Sequence, residues 1–179
     1  HKIEGADYKN VSLDMRLTAT KTRNEELQRD EWDIKTPKLE IGFTFDGAKV
    51  TYNDTLMPVE NASGHGTLDL ATEVLEVVGD SATIGDIKGS DVSVKVTDLM
   101  RAGAGHVYIK AKLDGPVSTA LSYIAADPIN MGEKEIGIDA KKVSGNIVAD
   151  LDLSMPTLKD VPKEQVNVNI NGTMTQMNV

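Results

Sequence analysis

Between His106 and Pro128 the chain changes its apolar period, and this change constrains the fold more than any other feature. Val107, Ile109, Ala111 and Leu113 alternate with His106, Tyr108, Lys110 and Lys112, the pattern of a strand with one dry face. Asp114–Gly115–Pro116 interrupts it. Val117, Ala120, Leu121, Ile124 and Ala125 then recur at i, i+3, i+4, i+7 and i+8, which is one apolar stripe on a helix. The helix is expected over Pro116–Ala126, with Pro116 at its first position and Asp127–Pro128 as its stop. Nearly everything else reads as strand, so the stripe must be buried against a sheet or at the mouth of one.

Alternation recurs along the chain. Val11–Ala19 and Leu39–Phe45 read as half-buried strands, and the charged Lys21–Asp33 between them as a solvated loop or frayed helix. Asp46–Gly47 predicts a hairpin turn before Val50 and Tyr52, and Thr55–Gly64 a loop. Strands follow at His65–Ala71, Val74–Val78 and Ser81–Ile87, with Gly79–Asp80 as a turn, and then at Asp91–Thr97. After the helix, a short strand is expected at Ile136–Ile138. Long strands then run from Val143 to Met155, with Val148 on the wet side, and from Val166 to Ile170. The chain is thus strand-rich over 8–114, helical over 116–126 and strand-rich again over 135–174.

One-sided strands joined by short turns make an antiparallel meander. Its dry face has two destinations. It can close on a second layer as an ordinary core, or remain a groove for something that is not protein. The expected dry wall is Val92, Val94 and Val96 on one strand, and Val107, Ile109, Ala111 and Leu113 on the next. Ile147, Ala149, Leu151 and Leu153, and then Val166, Val168 and Ile170, complete it. The helix, through Val117, Ala120, Leu121 and Ile124, is a lid or plug on that wall.

The chemistry is sparse. There is no cysteine, so disulfides, thiolate metal sites and cysteine nucleophiles are excluded. His1, His65 and His106 do not fall at metal-ligand spacings. Asp150 and Asp152, like Asp69, read as a solvated strand face, because no glycine-containing calcium loop surrounds them. No GxSxG, P-loop or GxGxxG is present, and RAGAGH at Arg101–His106 precedes a strand rather than a helix. The chain reads as a non-enzyme without metal or cofactor. A net charge of -9 argues against nucleic acid. Seven aromatics (Tyr8, Trp32, Phe43, Phe45, Tyr52, Tyr108 and Tyr123) are too few for stacking platforms. No apolar run is long enough to span a membrane as a helix. The start at His1 suggests a cut or processed segment.

VENASGHGTLDL at Val59–Leu70 echoes AKKVSGNIVADLDL at Ala140–Leu153, each running through Ser-Gly into an alternating strand. With FTFDGAKVTYNDTLMPVE, LDGPVSTALSYIAADPI and VSGNIVADLDLSMP followed by VNVNINGTM, this echo resembles the AsmA-like superfamily, especially its YhdP-type region, over roughly Leu39–Met174. The resemblance implies an elongated, curved antiparallel sheet forming a U-shaped groove lined with aliphatic side chains. It also implies a place in the Gram-negative envelope, within a periplasmic protein anchored in the inner membrane by an N-terminal helix. The implied role is non-enzymatic: one segment of a bridge that moves phospholipid between inner and outer membranes. Its partners would be phospholipid, adjoining segments of the same chain, and proteins of the two membranes. The alternative is a structural or adhesive β-sandwich with a closed core that binds protein or carbohydrate.

Overall fold

The computed structural model describes residues 2–3, 7–25, 29–51, 55–101, 103–126, 129, 137, 139–158 and 161–178. Strands β1 (Lys2–Ile3), β2 (Asp7–Asn24), β3 (Arg29–Thr51), β4 (Val59–Asp69), β5 (Val74–Ile84), β6 (Ile87–Thr97) and β7 (His106–Pro116) precede one helix, α1 (Val117–Ala125). Strands β8 (Ser144–Pro156) and β9 (Asn167–Asn178) follow it. All belong to one open sheet in which each strand pairs antiparallel with the next. Strands β1 and β2 pair with successive parts of β3, so they occupy one position and the sheet is eight strands wide.

The strands are longer and fewer than the sequence suggests. Asp46–Gly47 does not turn the chain: Gly47 takes φ +65° in a bulge, and β3 runs through it for 23 residues. Gly79–Asp80 likewise lies inside β5, because Gly79 pairs with Val92 and the ladder continues to a two-residue turn at Gly85–Asp86. Strand β4 already begins at Val59, within the expected loop. The charged Lys21–Asp33 is, in its described ends, not the expected loop or helix. These ends are paired strand, with Lys21 opposite Trp32 and Arg23 opposite Asp30. Pro116 stands just outside the helix, with φ -65° and ψ 135° as its N-cap. The strand expected at Ile136–Ile138, together with Tyr52, His1 and Asp127–Pro128, lies outside the described residues.

Bulges bend the strands. Asn10, Asn61 and Asp91 hold left-handed φ values near register breaks in β2, β4 and β6. Asn and Asp tolerate this conformation better than other side chains. The Ser-Gly echo also has a structural meaning. Ser63–Gly64 in β4 and Ser144–Gly145 in β8 both fall at register shifts against the following strand.

The core is small. Among the described residues, the buried hydrophobic side chains are Ala48, Leu56, Ala62, Ile87, Val117, Leu121, Val143 and Ala149, and of these only Val117 is fully enclosed. The accessible surface is 11643 Å², whereas a compact protein of this mass exposes about 8,500 Å². The excess belongs to a sheet that has no second layer among the described residues. Substantial contacts run only between hydrogen-bonded neighbours and from α1 to β7 and β8.

Candidate lipid-facing trough

The register assembles the dry side chains into rows that cross the strands. One row runs Leu13, Ile41, Leu68, Leu75, Val96, Val107, Met155 from β2 to β8. The next runs Phe43, Gly66, Val77, Val94, Ile109, Leu153, Val168 from β3 to β9. At ~4.8 Å between strands, each row is about 29 Å of unbroken apolar surface. Beyond them lie Ala111, Leu151 and Ile170 in register, then Leu113, Ala149 and Gly172.

Over the middle of the sheet the apolar side is the more sheltered side. Valines make the comparison at constant side chain. On the wet face, Val148 is 57% exposed and Val78 43%. On the dry face, Val77, Val92, Val94, Val96 and Val107 are half-buried, although no second layer of described residues lies over them. Close cross-strand neighbours shelter one another in this way, the more so where a face curves inward. Glycine permits such a curve. Gly64, Gly66, Gly79, Gly89, Gly115 and Gly172 all fall on the dry face by register. A methyl group at Gly64 would lie 2.1 Å from the Val78 carbonyl oxygen. One at Gly172 would lie 2.4 Å from the Val148 carbonyl oxygen, and one at Gly115 2.8 Å from the Ile87 Cα. Backbone approaches this close exclude a side chain.

The fourteen wall residues expected from the sequence fall as follows. Val92, Val94, Val96, Val107, Ile109, Ala111, Leu113, Ile147, Leu151, Leu153 and Val168 are half-buried on the dry side, and Ala149 is buried. Val166 precedes β9 rather than belonging to it. Ile170, on the edge strand, is 41% exposed. Sequence reasoning left out Ile41, Phe43, Leu68, Leu75, Val77 and Met155, which complete the same rows. Their alternation was legible, but only the register shows that they face the same space.

The helix closes one margin and not the whole trough. Val117, Leu121 and Val143 form a buried cluster, with Ile124, Ala140 and Ile147 packed against it. Ala120 is half-buried on the same helix. Ile147 is the one expected wall residue in this cluster; the central rows have no helix over them. Thr119 reaches the β5–β6 turn, where a methyl at Gly85 would sit 3.6 Å from its Cγ2 and 3.1 Å from the Met57 sulfur.

The outer face is polar and ion-paired across strands. Lys38 Nζ lies 2.5 Å from Asp14, Lys49 2.9 Å from Glu60, Lys95 2.8 Å from Glu76, Lys112 2.7 Å from Asp91 and Lys110 3.3 Å from Asp152. Each exposed pair adds little stability; together they keep this face wet and reinforce register. The Lys38 ammonium, through its hydrogen bond, holds the Asp14 carboxyl below its usual range. Asp69 is similarly lowered, first by the Thr72 side chain and further by the backbone N–H groups of Ala71 and Thr72. His65 is exposed, and His106 stacks beside Tyr108 at 4.8 Å. No group of metal-ligating side chains occurs among the described residues. A shallow hollow of 460 Å³ between β8 and β9 is lined by Asp152, Ser154, Asn167 and Asn169 with Val166 and Val168, and it is mostly polar.

The fold and face therefore define an open antiparallel sheet with an aliphatic face that the described residues cover only at one margin. Comparison with family models, with curated proteins and with solved structures finds no match. Among the described residues no helix is long and apolar enough to cross a membrane.

Proposed function

We propose that this chain is a non-enzymatic segment of a bridge-like lipid carrier, its trough holding phospholipid acyl chains as they pass between the inner and outer membranes of a Gram-negative envelope. The observation that carries the reading is the pair of apolar rows, each crossing seven strands, on a face over which the described residues lay no second layer. Removing hydrocarbon from water is worth roughly 0.8 kcal/mol per methylene. An aliphatic wall holds a tail by area alone. It offers no directional bond, so a tail can slide along a row at nearly constant energy. The phosphate headgroup stays in water at the rim. The AsmA-like, YhdP-type resemblance supports this use of the sheet, and implies a periplasmic carrier with adjoining segments and membrane proteins as partners.

The sandwich alternative needs a second layer over the same face, and the described residues supply one only at Ile147. Native mass spectrometry of the purified chain, with lipid extraction, tests the choice. Bound phospholipid in stoichiometric amount is the expected result. A clean apo mass after incubation with phospholipid micelles would overturn the proposal.

A further inference from the structure

The β2–β3 ribbon leaves the body of the sheet. Strand β4 pairs with β3 only from Glu40 onward, so Arg29–Lys38 and its β2 partners project as two strands. Roughly ten residues at ~3.3 Å each carry the ribbon about 33 Å beyond the neighbouring strand. A free two-stranded ribbon is marginal in water. This one also exposes apolar side chains: Leu17 is 56% exposed, Trp32 62% and Ile34 65%, and Leu13 (64%) and Met15 (54%) stand exposed on β2 where the ribbon leaves the sheet. The register puts these side chains on the dry side. Leu13 and Met15 oppose Ile41 and Leu39, Ala19 opposes Ile34, and Leu13–Ile41 begins the first trough row. The apolar strip therefore continues from the trough onto the ribbon as far as Ala19–Ile34; beyond it, Trp32 shares the face with Lys21, and the Arg23–Asp30 pair closes the tip.

The charges select the occupant. Near the tip, Lys21 and Arg23 pair with Asp30 at 2.6 and 3.5 Å, and Arg29 pairs with Glu31 at 3.1 Å. Lys21 also lies 5.9 Å from the centre of the Trp32 ring. A tip whose cations are matched by its own anions, on a chain of net charge -9, suits a zwitterionic surface and not an anionic one. Tryptophan beside a long cationic side chain is the pairing favoured where hydrocarbon meets headgroups.

We propose that the ribbon lies on a zwitterionic phospholipid surface, apolar face down, and joins the bilayer's hydrocarbon to the trough. This rests on the lipid-carrier reading and names the surface from which that trough would load. Trp32 is the sole tryptophan, so its fluorescence reports the ribbon alone. The 179-residue chain is titrated with phosphatidylcholine vesicles, with and without brominated acyl chains. The expected result is a blue shift of emission, quenching by the brominated lipid, and weaker binding when phosphatidylglycerol is added. Ile34→Asp should weaken partition at least about tenfold, whereas Thr20→Asp on the opposite face leaves it within about twofold.

Unchanged emission at excess phosphatidylcholine overturns the proposal. So does a blue shift that needs no vesicles and grows with protein concentration as the mass doubles, since a second copy then covers the face. Lipid uptake from detergent micelles, read by native mass spectrometry, separates the two readings. Uptake without vesicle binding rejects the ribbon and keeps the trough; no uptake rejects the trough itself.

Discussion

Ile109→Asp separates an open trough from a closed core. Ile109 sits mid-row, opposite Val94 on β6 and Leu153 on β8, and is half-buried on the dry face. Full burial of an isoleucine is worth about 1.5–3 kcal/mol, so a half-buried one forfeits about 1 kcal/mol. The poorer strand propensity of aspartate adds up to about 1 kcal/mol. Urea unfolding should therefore show a loss of about 1–2 kcal/mol with the chain still folded, because water reaches the carboxylate in the empty trough. Lipid loading should suffer far more. A charge at this point denies a tail the contact of roughly four methylenes, about 3 kcal/mol, or about a hundredfold in affinity. Ser93→Asp, on the wet face opposite Lys110, is the control and should change neither quantity appreciably. A loss above about 4 kcal/mol for Ile109→Asp would mean a sealed apolar interior and would refute the open face. Undiminished loading would refute the role of the row.

Three further perturbations probe the parts that shape the trough. Gly64→Ala should destabilise by about 2 kcal/mol or more in urea unfolding, because its methyl meets the Val78 carbonyl, while Gly89→Ala, with nothing nearer than 3.7 Å, should stay within about 0.5 kcal/mol. Leu121→Ala should cost about 2–3 kcal/mol and raise hydrogen exchange selectively in α1, since it empties the cluster with Val117 and Val143; uniform exchange changes across the sheet would contradict a marginal plug. A charge placed at Leu121 or Ile124 should likewise impair folding or lipid loading. Asp69 has a lowered pKa when folded, so its contribution is complete above the ordinary carboxylate range and disappears as acid protonates the folded group. Asp69→Asn retains an acceptor for Ala71 and Thr72 and should flatten that part of the acid-stability profile; an unchanged profile would show that the turn is not its source.

Curvature was the least legible property in the residues. Alternation announces which side of a strand is dry, but a glycine in a strand pattern reads equally as a turn. Asp46–Gly47 and Gly79–Asp80 were expected to end strands, yet both lie within them. Their effect depends on neighbours: Gly47 relieves a bulge, and Gly79 makes room for Val92. The charged Lys21–Asp33 misled for a related reason. Its polar residues pair across the ribbon, so strand formation there rests on register and not on a local apolar pattern.

By itself, the sequence determined that the chain is an antiparallel meander with one amphipathic helix, because side-chain period is a local property of backbone geometry. It also determined which side chains are apolar on each strand, and hence most of the wall. Only the tertiary structure decided that those sides form common rows on one face, and that the helix covers one margin instead of the centre. Register, bulges and close glycine contacts join residues far apart in the chain, and no local pattern encodes which of them meet.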